Sequence, residues 1–123
     1  MKSKSALAGA GILGFIAVAA GAFGAHALRD KVPPAMLGIF ETASRYQLVH
    51  AAAILATIPL TAQFRSRLVP AASAFFLWGS VLFSGSLYLL VLSGAKAWGA
   101  VTPLGGLLLL AGWACLGLGA AKG

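Results

Sequence analysis

Acidic residues are nearly absent: Asp30 and Glu41 are the only two in 123 residues, against nine lysines and arginines. Paired-carboxylate chemistry needs two acids brought to one place, and these stand at opposite ends of a single loop. Nucleophilic catalysis needs a nucleophile, a base and an orienting group, and Glu41, matched to Arg45 four residues on, is not free to orient a base. The chain is therefore not expected to be an enzyme. Cysteine occurs once, as Cys115, which excludes an internal disulfide. Charge of either sign is scarce, at 9% of residues with 60% hydrophobic, where a soluble domain carries about 25% and about 45–50%. No water-soluble core accounts for that excess.

What is present is apolar sequence in four blocks, at about residues 5–28, 42–62, 70–92 and 98–121. At ~1.5 Å per residue each reaches roughly 30 Å, the thickness of the hydrocarbon core. Lipid offers backbone amides no partners, so a helix is the only open-chain solution at that depth. The expected fold is all-α, an integral membrane bundle of four transmembrane helices forming one domain over residues 1–123. Lys2, Lys4, the first apolar run and Ala25-His26-Ala27 resemble a secretory signal with its small-residue cleavage site. The run is longer than a signal core of ~7–15 residues and rich in glycine, which favours a retained first helix. Residues 29–41 form the first loop, where Pro33-Pro34 and the apolar run from Ala35 to Phe40 read as a short interfacial turn.

The formal charge of +7 raises nucleic-acid binding. The basic residues are instead scattered singly or in pairs at the ends of the apolar runs, which reads as anchoring at lipid headgroups. Membrane lipids are the expected contacts, and no nucleic acid is expected. With four crossings both termini share one side, together with Lys2, Lys4, Arg65, Arg67 and Lys122; Arg29, Lys31, Arg45 and Lys96 lie on the other. The excess places the termini in the cytoplasm and the protein in the cell (inner) membrane.

Small residues mark the helix contacts. Helix one carries Ala10 and Gly14, then Ala17, Gly21 and Ala25, and helix three carries Ser80 and Ser84 at the same four-residue spacing. Gly105, Gly112 and Gly119 stand seven apart in helix four, which keeps one narrow seam facing a neighbour. Such seams serve contacts within a chain and between chains equally, so a homo-oligomer or a membrane-protein partner stays open. The Gly105-Gly106 pair lacks the lysine and preceding strand of a phosphate loop.

The polar residues fall at one depth. His26 ends helix one, Tyr46 and His50 share a face near the start of helix two, Ser84, Ser86 and Tyr88 lie late in helix three, and Thr102 opens helix four. Because helices alternate in direction, all seven face the half of the membrane next to loops one and three. Two roles compete: cross-helix hydrogen bonds that hold the bundle together, and a site for a small polar ligand, a lipid headgroup or a proton. His26 and His50 are the residues to which a metal or haem reading would attach. No third ligand stands near them, so neither metal nor cofactor is expected. The small multidrug exporters depend on a glutamate embedded in their first helix, and this helix one has no acid.

Gly21-Ala22-Phe23-Gly24-Ala25-His26, Tyr46-Gln47-Leu48-Val49-His50, Leu82-Phe83-Ser84-Gly85-Ser86-Leu87-Tyr88, and Thr102-Pro103-Leu104-Gly105-Gly106 with Gly112-Trp113 form four ordered blocks. They resemble the signature blocks of a small bacterial membrane-protein family, domain of unknown function 423, related to the eukaryotic transmembrane protein 256. The resemblance implies a four-helix inner-membrane protein of unestablished activity and brings no catalytic residues with it. The combined expectation is a small accessory or ligand-binding membrane protein whose working face is built from His26, Tyr46, His50, Ser84, Ser86, Tyr88 and Thr102. The alternative is an oligomeric small-solute transporter or channel component.

Overall fold

Proline and glycine punctuate the chain in the computed structural model, which describes residues 1–122. Helix α1 runs Ser3–Leu28 and α2 Pro34–Gln63; α3 runs Leu68–Ser93 and α4 Thr102–Lys122, preceded by a 3-10 turn at Lys96–Ala100. No strand occurs among the described residues. Pro34 occupies the first turn of α2, where its missing N–H is no loss and its fixed φ favours the helix. Helix two therefore begins at Pro34 rather than near residue 42. The run read as an interfacial turn is its opening stretch, with Met36, Leu37 and Phe40 packed beside Ala25 and Val91. Helix α3 ends at Gly94, whose φ of 71° only glycine adopts freely.

Two helices depart from regular geometry. In α1, residues Ala20–Gly24 form a π-helical turn, and the Ala25 N–H bonds to Ala20 O, five residues back. The turn lies beside the point where the Ser44 hydroxyl of α2 donates to Ala17 O at 2.8 Å. In α2, Pro59 interrupts the backbone ladder. The Thr57 and Thr61 hydroxyls on either side of it turn back to the carbonyls of Ile54 and Thr57.

Packing follows chain order: α1 lies on α2, α2 on α3, and α3 on α4, with a slighter contact of α1 on α3. The glycine seam of α4 faces α3. A Cβ at Gly112 would come within 2.6 Å of the Phe76 ring, one at Gly119 within 2.9 Å of Val69, and one at Gly105 would overlap the Phe83 backbone. Val69, Phe76 and Phe83 are themselves seven residues apart, so side chains of α3 fill the notches at Gly119 and Gly112 on the antiparallel α4 and the α3 backbone itself closes on Gly105.

Three segments are long and apolar enough to cross a membrane on their own: Ser3–Leu28, Leu68–Ser93 and Lys96–Lys122. Helix α2 falls short of that standard, although the sequence reading expected four crossings. The physical reason is its polar content, since Glu41, Arg45, Gln47 and His50 all lie on it. The outward surface is apolar, with Phe15, Phe23, Trp78, Leu107 and Leu110 all exposed.

Candidate functional site

Helices α2 and α4 flank α3 with their backbones apart, no Cα pair between them lying within 8 Å, and meet through the side chains of His50 and Trp113. The gap is a groove of about 510 Å³ walled by Tyr46 and His50 from α2, and by Pro103, Gly106, Leu107, Leu110 and Trp113 from α4, with Phe83 of α3 as its floor. Gly106 leaves the α4 wall open where a larger side chain would fill it. Aromatic contacts shape the groove: Tyr46 stacks on Phe83 with centroids 4.8 Å apart, and behind the lining the buried Phe76 meets Trp113 at 4.8 Å and His50 at 5.5 Å. Adjoining it, Arg45, Tyr46, Val49 and His50 surround a smaller cavity of about 130 Å³.

His50 is the polar centre of the groove, and its hydrogen bonds assign its tautomer. The Trp113 indole N–H donates to His50 Nε2 at 3.0 Å, and His50 Nδ1 lies 2.7 Å from Tyr46 O. An indole only donates and a carbonyl only accepts, so Nε2 is bare and Nδ1 carries the proton. Both ring nitrogens are thereby engaged in a neutral imidazole. No lone pair is left for a metal, and a second proton on Nε2 would face the indole donor head-on. Trp113→Phe keeps the ring and removes the donor; it is expected to lower stability by about 0.6 kcal/mol, the mean for an interhelical hydrogen bond. Unfolding titrations in mixed micelles measure this, and a cost above about 2 kcal/mol would mean that the imidazole reorients.

The other polar residues satisfy each other or the backbone. Tyr88 donates to Gln47 Oε1 at 2.8 Å, and Gln47 Nε2 donates to Leu13 O at 2.8 Å, a chain that runs from α3 through α2 to α1. Ser84 donates to Ala43 O at 2.7 Å. The Thr102 and Ser86 hydroxyls share a hydrogen bond at 2.6 Å, and each also reaches a backbone carbonyl, Ser86 that of Phe83 at 2.9 Å and Thr102 that of Trp98 at 3.5 Å.

The seven residues singled out in the sequence thus fall into four places. Tyr46 and His50 face the groove; Ser84 and Tyr88 bond to α2, and Ser86 with Thr102 ties α3 to α4. His26 is exposed on the last turn of α1 and does not line the groove, so the two histidines do not share a site. Among the described residues no three His, Cys, Asp or Glu side chains converge. Sequence reasoning passed over Ser44, Gln47 and Trp113. The available signal was the spacing of Ser44, Gln47 and His50 at three-residue intervals, which puts them along one side of a helix otherwise facing apolar neighbours.

No solved structure matches the chain significantly. The "UPF0382 inner membrane protein YgdD" of Escherichia coli K12 is 43% identical over 122 residues, covering 99% of this chain and 93% of its own length. A "UPF0382 membrane protein" of Staphylococcus epidermidis is 43% identical over 101 residues, 82% of each chain. The "UPF0382 membrane protein SSP2132" of Staphylococcus saprophyticus is 40% identical over 107 residues, 87% of this chain and 88% of its own. Residues 20–106 match the family described as "Protein of unknown function (DUF423)". With that match across most of the chain and relatives at this identity over nearly all of it, the chain belongs to the DUF423 family.

Proposed function

We propose that this is a four-span, non-enzymatic protein of the inner membrane, with both termini in the cytoplasm, that holds an anionic lipid in the groove between α2 and α4. The fourth span is α2. Its polar side chains Ser44, Gln47, His50 and Thr57 are buried against neighbouring helices, while Leu48, Val49 and Leu55 are exposed. A helix so arranged meets lipid with apolar side chains and hides its polar ones, which lowers its mean hydropathy without barring it from the bilayer. The excess of lysine and arginine in the terminal segments and the second loop supports the orientation.

The observation that carries the ligand reading is the groove, an aromatic-lined cleft of about 510 Å³ between two helices whose backbones stand apart and which the Trp113–His50 hydrogen bond bridges. Its lining suits an acyl chain. Arg45, exposed and beside Tyr46 and His50, offers a cation at that end for a phosphate. A solute conduit is less well supported, because the interior hydroxyls and amides of Ser44, Gln47 and Ser84 are spent on backbone carbonyls.

Native mass spectrometry from mild detergent, with phosphatidylglycerol and phosphatidylcholine offered together, tests the proposal. Retained phosphatidylglycerol is expected, weakened several-fold by Arg45→Gln and lost in Gly106→Leu. A Cβ at Gly106 meets only Phe83 Cδ2, at 3.9 Å, so that variant obstructs the groove and not the helix contact. Equal, loose retention of both lipids in all three proteins would overturn the reading, and His50-dependent solute flux in liposomes would replace it with a conduit.

A further inference from the structure

On the opposite side of α3 from the groove's α4 wall, α1, α2 and α3 border a further cavity of about 180 Å³, lined by Gln47, Ser80, Gly85 and Tyr88 and open to the outside past Ile16 and Val81. It has no part in the lipid reading. Ser80 is 2% exposed, and its hydroxyl is the buried side-chain atom left without a partner among the described residues. A serine inside a helix ordinarily turns its hydroxyl back to its own backbone, as Ser73, Ser86 and Ser93 do on this same helix. Ser84 crosses to α2. Ser80 does neither, although the residue lines the cavity.

Accounting for donors and acceptors shows what that cavity offers. The Tyr88 proton goes to Gln47 Oε1, leaving the phenol oxygen free to accept. Gln47 Nε2 spends one of its two protons on Leu13 O, leaving the other to donate. Ser80 can donate or accept. Three complementary valences, two on α3 and one on α2, match the usual coordination of a buried water, and a water occupies only about 30 Å³. We propose that this cavity is a binding site for ordered water within the membrane, one molecule bridging Ser80 to Gln47 and Tyr88. An acyl chain in the same space would leave all three valences unmet, which a low-dielectric interior penalises. With the water in place, the Tyr88–Gln47–Leu13 chain gains Ser80 as a fourth member.

Occupied and empty cavities predict opposite signs for Ser80→Ala. If water bridges Ser80, the substitution removes one of its ligands, and the unfolding equilibrium in mixed micelles is expected to shift about threefold to tenfold toward the unfolded state. If the hydroxyl is an orphan, alanine relieves it and the protein becomes more stable. Proton-detected solid-state NMR of the wild-type protein in phosphatidylglycerol bilayers reads the water directly, as a cross-peak to the Gln47 side-chain amide. That cross-peak, lost in Ser80→Ala together with the stability, supports the site. A wild-type protein without it, acyl-proton cross-peaks at Gln47 in its place, or a Ser80→Ala protein at least as stable as the wild type would overturn it.

Discussion

Gly105→Ala is expected to break the α3–α4 pairing, at a cost of at least about 3 kcal/mol. Overpacking usually costs about 1–3 kcal/mol because side chains can swing aside. At Gly105 the added methyl meets the N and Cα of Phe83 and the carbonyl carbon of Leu82, and none of these can rotate away. The helices must separate, and the Phe76 and Val69 contacts at Gly112 and Gly119 along the same seam open with them. Gly106→Ala, one position along, is the control: its methyl finds ordinary contact at 3.9 Å and is expected to change stability by less than about 0.5 kcal/mol. Denaturant titrations followed by tryptophan fluorescence measure both. Equal behaviour of the two variants would mean that the glycine seam does not hold the pair.

Phe76→Ala should cost about 2–3 kcal/mol. Phe76 is fully buried and fills the notch at Gly112 while touching His50 and Trp113. In a soluble protein such a truncation costs about 3–5 kcal/mol, of which part is transfer from water. In a bilayer the transfer part largely disappears, because lipid is as apolar as the core. The cavity part remains, and at ~24 cal/mol per Å³ the roughly 100 Å³ removed gives about 2.4 kcal/mol. His26→Ala, at an exposed position outside the groove, is expected to stay within about 0.5 kcal/mol of the wild type. The same unfolding titration distinguishes them, and a Phe76→Ala cost below about 1 kcal/mol would mean that Trp113 and His50 collapse into the space.

Helical class was legible because a run of apolar residues with almost no charge admits one backbone solution in lipid. The seam of Gly105, Gly112 and Gly119 was legible for a related reason: seven-residue spacing of small side chains marks a contact face whatever lies opposite. What lay opposite was not legible. Nothing in the spacing of α4 names Phe76 and Val69 as the side chains that enter it, or the Phe83 backbone as what closes on Gly105. The pairing of His50 with Trp113 links residues 63 apart, and Gln47 and Ser44 spend themselves on carbonyls of α1, which leave no mark in side-chain sequence. Depth alone grouped His26 with His50. Depth fixes height along the membrane normal and leaves rotation about each helix axis undetermined, and that rotation separates the two histidines. The early start of α2 was missed for another reason: Pro33-Pro34 reads as a loop signal, although a proline at the first helical position is also a start.

The π turn in α1 works as a frame shift written into a helix. Before it, Ala6, Ala10, Leu13 and Ala17 are the buried positions, and that rhythm continued without interruption reaches residues 24, 27 and 31. The wide turn absorbs one extra residue, which advances the phase by about 100°. The inward positions beyond it become Ala25 and Leu28, followed by Val32, which pack with Phe40 and Val91. Ala27 and Lys31 are left exposed. One surplus residue in the backbone therefore decides whether Ala27 or Leu28 turns toward Phe40 and Val91 at the end of the bundle next to loop one.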